Sequence, residues 1–169
     1  MLLNEEERKP VWDFVRDELK FHPDSKYRGH SRLPWRRPFR LPHPWAVYGI
    51  EDMTQEQIDG MGMLVKNCFL RVTRPGERLY ALDWQHDGFL FDPRNEEEQR
   101  SLRLEDETGE YWAEFPFWYP DGDYYFFLDE QFRFGYLGHP WRKEIWVYGG
   151  ALLSEIARIA PELGWKKLR

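Results

Sequence analysis

Between Tyr119 and Trp141 the chain reads YPDGDYYFFLDEQFRFGYLGHPW, with seven aromatic side chains between Tyr119 and Phe134. Every position from Tyr124 to Leu128 is apolar or aromatic. An extended segment of that kind has no polar face to turn toward water, so it must be covered on both sides, as in a central strand. The turn residues Asp121-Gly122-Asp123 precede it, and a Gly138-His139-Pro140-Trp141 corner closes the unit. The stretch therefore reads as a hairpin at the heart of a sheet.

At 169 residues the chain has the size of one domain with one sizeable core, and residues 1–169 are expected to form a single domain. Aromatic residues make up 18% of it, yet charged residues reach 32% and the mean hydropathy is -0.78. Large side chains must fill the core, and the surplus of aromatics predicts that several stay on the surface in a groove or interface. A formal charge of -6 argues against general nucleic-acid binding, which needs a basic footprint. Residues 22–45 run the other way, with Lys26, Arg28, Arg32, Arg36, Arg37 and Arg40 against Asp24. Cys68 is the only cysteine, which excludes an intramolecular disulfide and a cysteine-based metal cage. The first residues lack the basic and apolar regions of a signal peptide, and no apolar run approaches membrane-spanning length. A cytoplasmic protein with no membrane partner is expected.

Val11, Val15 and Leu19 recur at helical spacing behind Pro10, predicting an amphipathic helix over 9–20. Residues 22–45 hold Pro23, Pro34, Pro38, Pro42 and Pro44 among the basic side chains, and proline at that density denies backbone donors and forces extended geometry. This segment reads as a Pro/Arg-rich surface arm pinned by Trp35, Phe39 and Leu41. A strand follows at 46–50. Thr54 with Gln57 is a capping box that opens a second helix over 55–70, carried by Ile58, Met61, Val65 and Phe69. Strand patterns then dominate at 79–84, 89–91, 111–118, 123–128, 132–137 and 145–148. The connection 95–110 reads as charged, exposed and partly helical, and 151–160 as a closing helix stopped by Pro161. The pattern predicts an α+β fold: a central, mainly antiparallel sheet of about six strands flanked by N-terminal and C-terminal helices.

Three short motifs invite a chemical reading: Asp83-Trp84-Gln85-His86, Asp121-Gly122-Asp123, and His139-Pro140-Trp141. If their strand ends converge, two imidazoles and three carboxylates meet in an aromatic cleft, enough for acid-base work or an oxygen-nitrogen metal site. Taken separately, each motif has a structural explanation. Asp-Gly is a tight-turn dipeptide, Asp123 can bond the turn backbone, His139-Pro140-Trp141 can be a packed corner, and Asp83 with His86 can be a structural pair. His22, His30 and His43 show no ligand spacing and read as solvated or packing residues. Cys68 lies on an apolar helical stripe and reads as an inert core thiol. No phosphate-binding glycine loop, dinucleotide fingerprint or nucleophile elbow is present in the sequence. The acidic residues Glu96, Glu97, Glu98, Glu105, Asp106, Glu107 and Glu110 read as a solvated surface paired with the arm's arginines, or as a docking face for a basic partner.

The blocks Tyr80-Ala81-Leu82-Asp83-Trp84-Gln85-His86, Tyr119-Pro120-Asp121-Gly122-Asp123-Tyr124-Tyr125, Gly135-Tyr136-Leu137-Gly138-His139-Pro140-Trp141 and Val147-Tyr148-Gly149 resemble, in order and spacing, the signature of the bacterial DUF 2716 family, a domain of unknown function. The resemblance covers about residues 12–153. It bears on the fold and implies no activity. More remotely, a Gly-Asp-Tyr strand followed by a glycine-containing hairpin, a further strand and a final helix is similar to the Smi1/Knr4-like (SUKH) immunity superfamily, whose members bind and neutralise toxins in bacterial competition. The Pro/Arg-rich arm is not part of that pattern.

The leading expectation is a non-catalytic, protein-binding domain of immunity type that covers a basic toxin domain, with Asp83, Trp84, His86, Asp121, Asp123, His139 and Trp141 as binding residues and no cofactor or metal. The alternative is a small hydrolase or small-molecule-binding enzyme with Asp83, His86 and His139 as its catalytic set. RNA recognition through the basic arm is a third reading. The oligomeric state is left open.

Overall fold

A computed structural model of the chain describes residues 1–23, 37–107 and 109–169. Among these are the helices α1 (Glu5–Asp17), α2 (Gln55–Val72) and α3 (Gly150–Ile159) and the strands β1 (Trp45–Gly49), β2 (Leu79–Asp83), β3 (Gly88–Phe91), β4 (Leu102–Asp106), β5 (Gly109–Ala113), β6 (Tyr125–Asp129), β7 (Gly135–His139), β8 (Glu144–Tyr148) and β9 (Lys166–Lys167). Seven strands form one antiparallel sheet in the order β3-β2-β6-β7-β8-β1-β9, while β4 and β5 pair in a separate hairpin. The fold is the α+β arrangement that the sequence predicts.

All five residues of β6 are buried. The period of two explains how one strand feeds two cores. On one face the register lines up Phe89, Ala81, Phe127, Tyr136, Val147 and Ala46 across six strands, and these pack beneath α2 and α3 through Val65, Cys68, Phe69, Leu152 and Ile156. On the other face Leu82, Phe126, Leu137, Trp146 and Val47 form the matching row under Val11 and Val15 of α1. Phe39 and Leu41 are buried in this second core, as the reading of the arm predicts, and the chain flanking them is held by hydrogen bonds from His22 N–H to the Pro38 carbonyl and from Arg40 N–H to the Leu19 carbonyl. Residues 24–36 of the predicted arm, including Lys26, Arg28, His30, Arg32, Pro34, Trp35 and Arg36, lie outside the described residues.

Several element bounds differ from the sequence reading. Helix α1 begins at Glu5 rather than 9, because Asn4 and Glu7 form a capping box in which each side chain accepts the other's backbone N–H. Pro10 therefore sits inside the helix rather than at its start. The predicted strand 111–118 is short: β5 stops at Ala113, and Pro116, which has no N–H to give a ladder, lies in the irregular chain beyond it. Residues 102–106 of the connection 95–110 are strand β4, paired with β5 through Leu104 and Tyr111. The seventh sheet strand, β9, is two exposed lysines with no apolar alternation to announce it. Gly149 leads from β8 into α3 at φ +91, where a Cβ would lie 2.4 Å from Phe134 Cβ, so only glycine fits this junction.

Candidate functional site

Strand β2 ends at Asp83, and the register Asp83↔Tyr125 places the 121–123 turn beside that end. The chain then folds back toward β3. Asp83 N–H donates to the Asp87 carbonyl at 2.9 Å, and Asp83 Oδ1 accepts from Gln85 N–H at 3.3 Å. Arg8 of α1 clamps this loop from outside, donating to the His86 carbonyl at 2.7 Å and lying 3.6 Å from Asp87. The result brings three predicted residues together. His86 Nδ1 is 3.0 Å from Asp83 Oδ2 and 3.8 Å from Asp123 Oδ2. The carboxylates are buried, with Asp83 7% and Asp123 9% exposed, while the His86 side chain is 63% exposed and forms the mouth of the cluster.

Burial pushes the Asp123 carboxyl up to about 6; the hydrogen bond it accepts from Tyr124 N–H at 2.7 Å opposes this, and the neighbouring Asp83 carboxylate reinforces it. For His86, partial burial works against the charged ring, but the hydrogen bond to Asp83 and the negative field of Asp83, Asp123 and Asp87 outweigh it and raise its pKa. Both shifts favour the protonated form of the side chain. With Nδ1 held by Asp83, the imidazole has a fixed orientation, and the cluster can act as an ion pair, an oriented base or a set of metal donors.

The other predicted residues lie elsewhere. His139 is fully buried against Tyr124 of the second core, where its Nδ1 accepts from Arg142 N–H at 3.3 Å and its Nε2 faces the Tyr124 hydroxyl at 3.3 Å. Trp84 and Trp141 border that same second core, Trp84 edge-on to Tyr124 with ring centroids 5.6 Å apart. Asp121 is exposed and offers its backbone carbonyl to the Tyr125 hydroxyl at 3.4 Å. The Pro120 ring occupies the space a Cβ on Gly138 would need, 2.8 Å away, so two of the sequence motifs are locked together by packing. Cys68 is buried, and burial pushes its thiol up to about 11, in line with an inert core residue.

The surplus of aromatics predicts a surface groove or interface, and the structure has such a groove, whose residues the sequence does not name. It has a volume of about 310 Å³ and is lined by Ile58, Asp59 and Gly62 of α2 and by Phe117, Trp118, Tyr119 and Asp121. Trp118 is fixed by stacking on Phe127 at 3.8 Å, whereas Phe117 is 62% exposed. Strand β5 carries a second exposed aromatic, Trp112, 61% exposed. Aromatic spacing alone does not separate these residues from core ones; Pro116, which ends the strand pattern before Phe117, is the one signal available. Of the acidic stretch, Glu96 pairs with Lys66, Glu97 with Arg100 and Glu110 with Arg103, while Glu105, Glu107 and Glu114 are exposed without an ion pair among the described residues. Arg37 and Arg40 of the arm make no ion pair with this stretch; the arm's other arginines lie outside the described residues.

A mainly antiparallel seven-stranded sheet with helices packed on both faces puts this chain in the α+β class. The chain is a member of the family described as "Protein of unknown function (DUF2716)", which matches residues 2–153. It is 32% identical over 170 residues to the uncharacterized protein YxiI of Bacillus subtilis (strain 168), covering 95% of this chain and 94% of that protein. No solved structure matches it. No helix among the described residues is long and apolar enough to cross a membrane.

Proposed function

We propose that this chain is a non-catalytic protein-binding module of immunity type, which neutralises a basic partner by covering it. The observation that carries this reading is the groove of Phe117, Trp118 and Tyr119, flanked by the carboxylates of Asp59 and Asp121 and, among the described residues, lined by no lysine or arginine. A cationic side chain entering it meets aromatic faces and two negative charges at once. Trp112 on the β4–β5 hairpin is a second exposed aromatic, and Glu105, Glu107 and Glu114 supply charge to steer a positive partner. The similarity to toxin-neutralising SUKH proteins supports immunity as the purpose of such binding.

The alternative catalytic set of Asp83, His86 and His139 would require the two imidazoles to share a cleft; His139 is fully buried against Tyr124, whereas the His86 ring is exposed beside Asp83 and Asp123. The experiment is a pull-down against a panel of basic bacterial toxin domains, paired with a growth-rescue assay in cells expressing each one. Retention of a toxin, relief of its toxicity, and loss of both on Phe117→Ala support the reading. Retention of none, or binding that Phe117→Ala and Trp112→Ala leave unchanged, refutes it.

A further inference from the structure

We propose that Asp83, His86 and Asp123 form a binding site for a divalent transition-metal ion, with zinc the best chemical match. Their donor atoms, one from each side chain, all lie within 4.8 Å of one another. His86 Nδ1 is 3.0 Å from one carboxylate oxygen and 3.8 Å from the other. Ligands about 2.0–2.1 Å from a tetrahedral zinc are separated by about 3.3 Å, between those two distances, so a small side-chain rotation completes the set.

The carboxylates are built for this. Asp83 Oδ1 is fixed by the Gln85 amide and Asp123 Oδ1 by the Tyr124 amide, which leaves both Oδ2 atoms aimed at the same point. Backbone donors that orient a ligating carboxylate in this way are the usual outer support of a metal site. Asp123 is only 9% exposed, and its carboxyl lies within hydrogen-bonding reach of the Asp83 carboxyl. Among the described residues neither carboxylate pairs with a lysine or arginine, and the exposed His86 ring is the group that faces both. Two buried like charges brought together without a permanent counter-ion are costly, and a divalent cation removes that cost.

The donor set also narrows the ion. Calcium takes six to eight oxygen ligands and magnesium keeps several waters, whereas imidazole with carboxylates suits zinc and its transition-metal neighbours. The exposed mouth leaves room for water as a further ligand. The inference is independent of the proposed protein-binding function, since the groove and the cluster share no side chain.

The test is calorimetric titration of the full chain, freed of metal by chelation, with zinc, manganese, magnesium and calcium ions above about pH 7. One-to-one binding of zinc or manganese at micromolar concentration, weakened at least about a hundredfold by His86→Ala and by Asp123→Asn, is expected. Circular dichroism confirms that each variant is folded. Absence of saturable binding overturns the proposal, and so does unchanged affinity in a folded His86→Ala variant, which would place the ion elsewhere. Equal affinity for calcium would overturn the transition-metal assignment.

Discussion

Replacing Asp123 by Asn should stabilise the metal-free protein at neutral pH, although it removes a charged group that contacts His86. In the folded chain the Asp123 carboxyl is pushed up to about 6 from an ordinary 3.8. Its contribution to stability is therefore fully present below pH 3.8 and is lost as pH rises through about 6. The gap corresponds to about 3 kcal/mol, trimmed to about 2 because solvent reaches the cluster past the exposed His86 ring. Asn keeps the oxygen that accepts the Tyr124 amide and never ionises beside Asp83. Urea denaturation in the presence of a chelator, run from about pH 4 to pH 8, should show the variant gaining about 2 kcal/mol on the native protein across that range. The native protein's dependence on pH has the same sign from His86, whose raised pKa makes its contribution complete below 6.5 and lost above its folded value. Stability curves for the two proteins that stay parallel at every pH would refute the reasoning, because no repulsion would then be stored at the cluster.

Three further outcomes are expected. Phe127→Ala removes a fully buried ring stacked on Trp118 and should cost about 3–5 kcal/mol in chemical denaturation; a loss below about 1 kcal/mol would contradict the packing described. Gly149→Ala forces a Cβ to within 2.7 Å of the Arg133 carbonyl oxygen at φ +91 and should cost at least about 2 kcal/mol, visible as a lowered Tm. Trp112→Ala and Phe117→Ala, both at exposed positions, should leave stability within about 0.5 kcal/mol while abolishing partner capture, a separation that a purely structural role could not give.

The fold was legible wherever burial writes itself into the local pattern. Residues 124–128 announce a strand covered twice, and the Thr54–Gln57 capping box sets the start of α2 as read. Leu102-Arg103-Leu104-Glu105 alternates as a strand should, but the surrounding carboxylates mask it as a charged loop. At the cluster, the Asp83–His86 contact follows from a short turn and could be anticipated. Asp123 joins it only through the β2–β6 register, which depends on a pairing between segments far apart in sequence. The exclusion of His139 has the same origin: strand alternation sends Tyr124 and Tyr125 to opposite cores, and His139 follows Tyr124.

The order of strands also governs the sequence of events by which the chain can fold. β6, β7 and β8 are neighbours in sequence and in space, so this aromatic meander needs only short loop closures. β1, however, pairs with β8, bringing Trp45 against Tyr148, and that closure spans most of the chain. Non-local pairing of this kind is slow, since entropy is lost before contacts reward it. During synthesis, β1, β2 and β3 must therefore wait with their apolar faces unfinished until the meander has left the ribosome, which makes the nascent N-terminal half the part of this protein with most need of a chaperone.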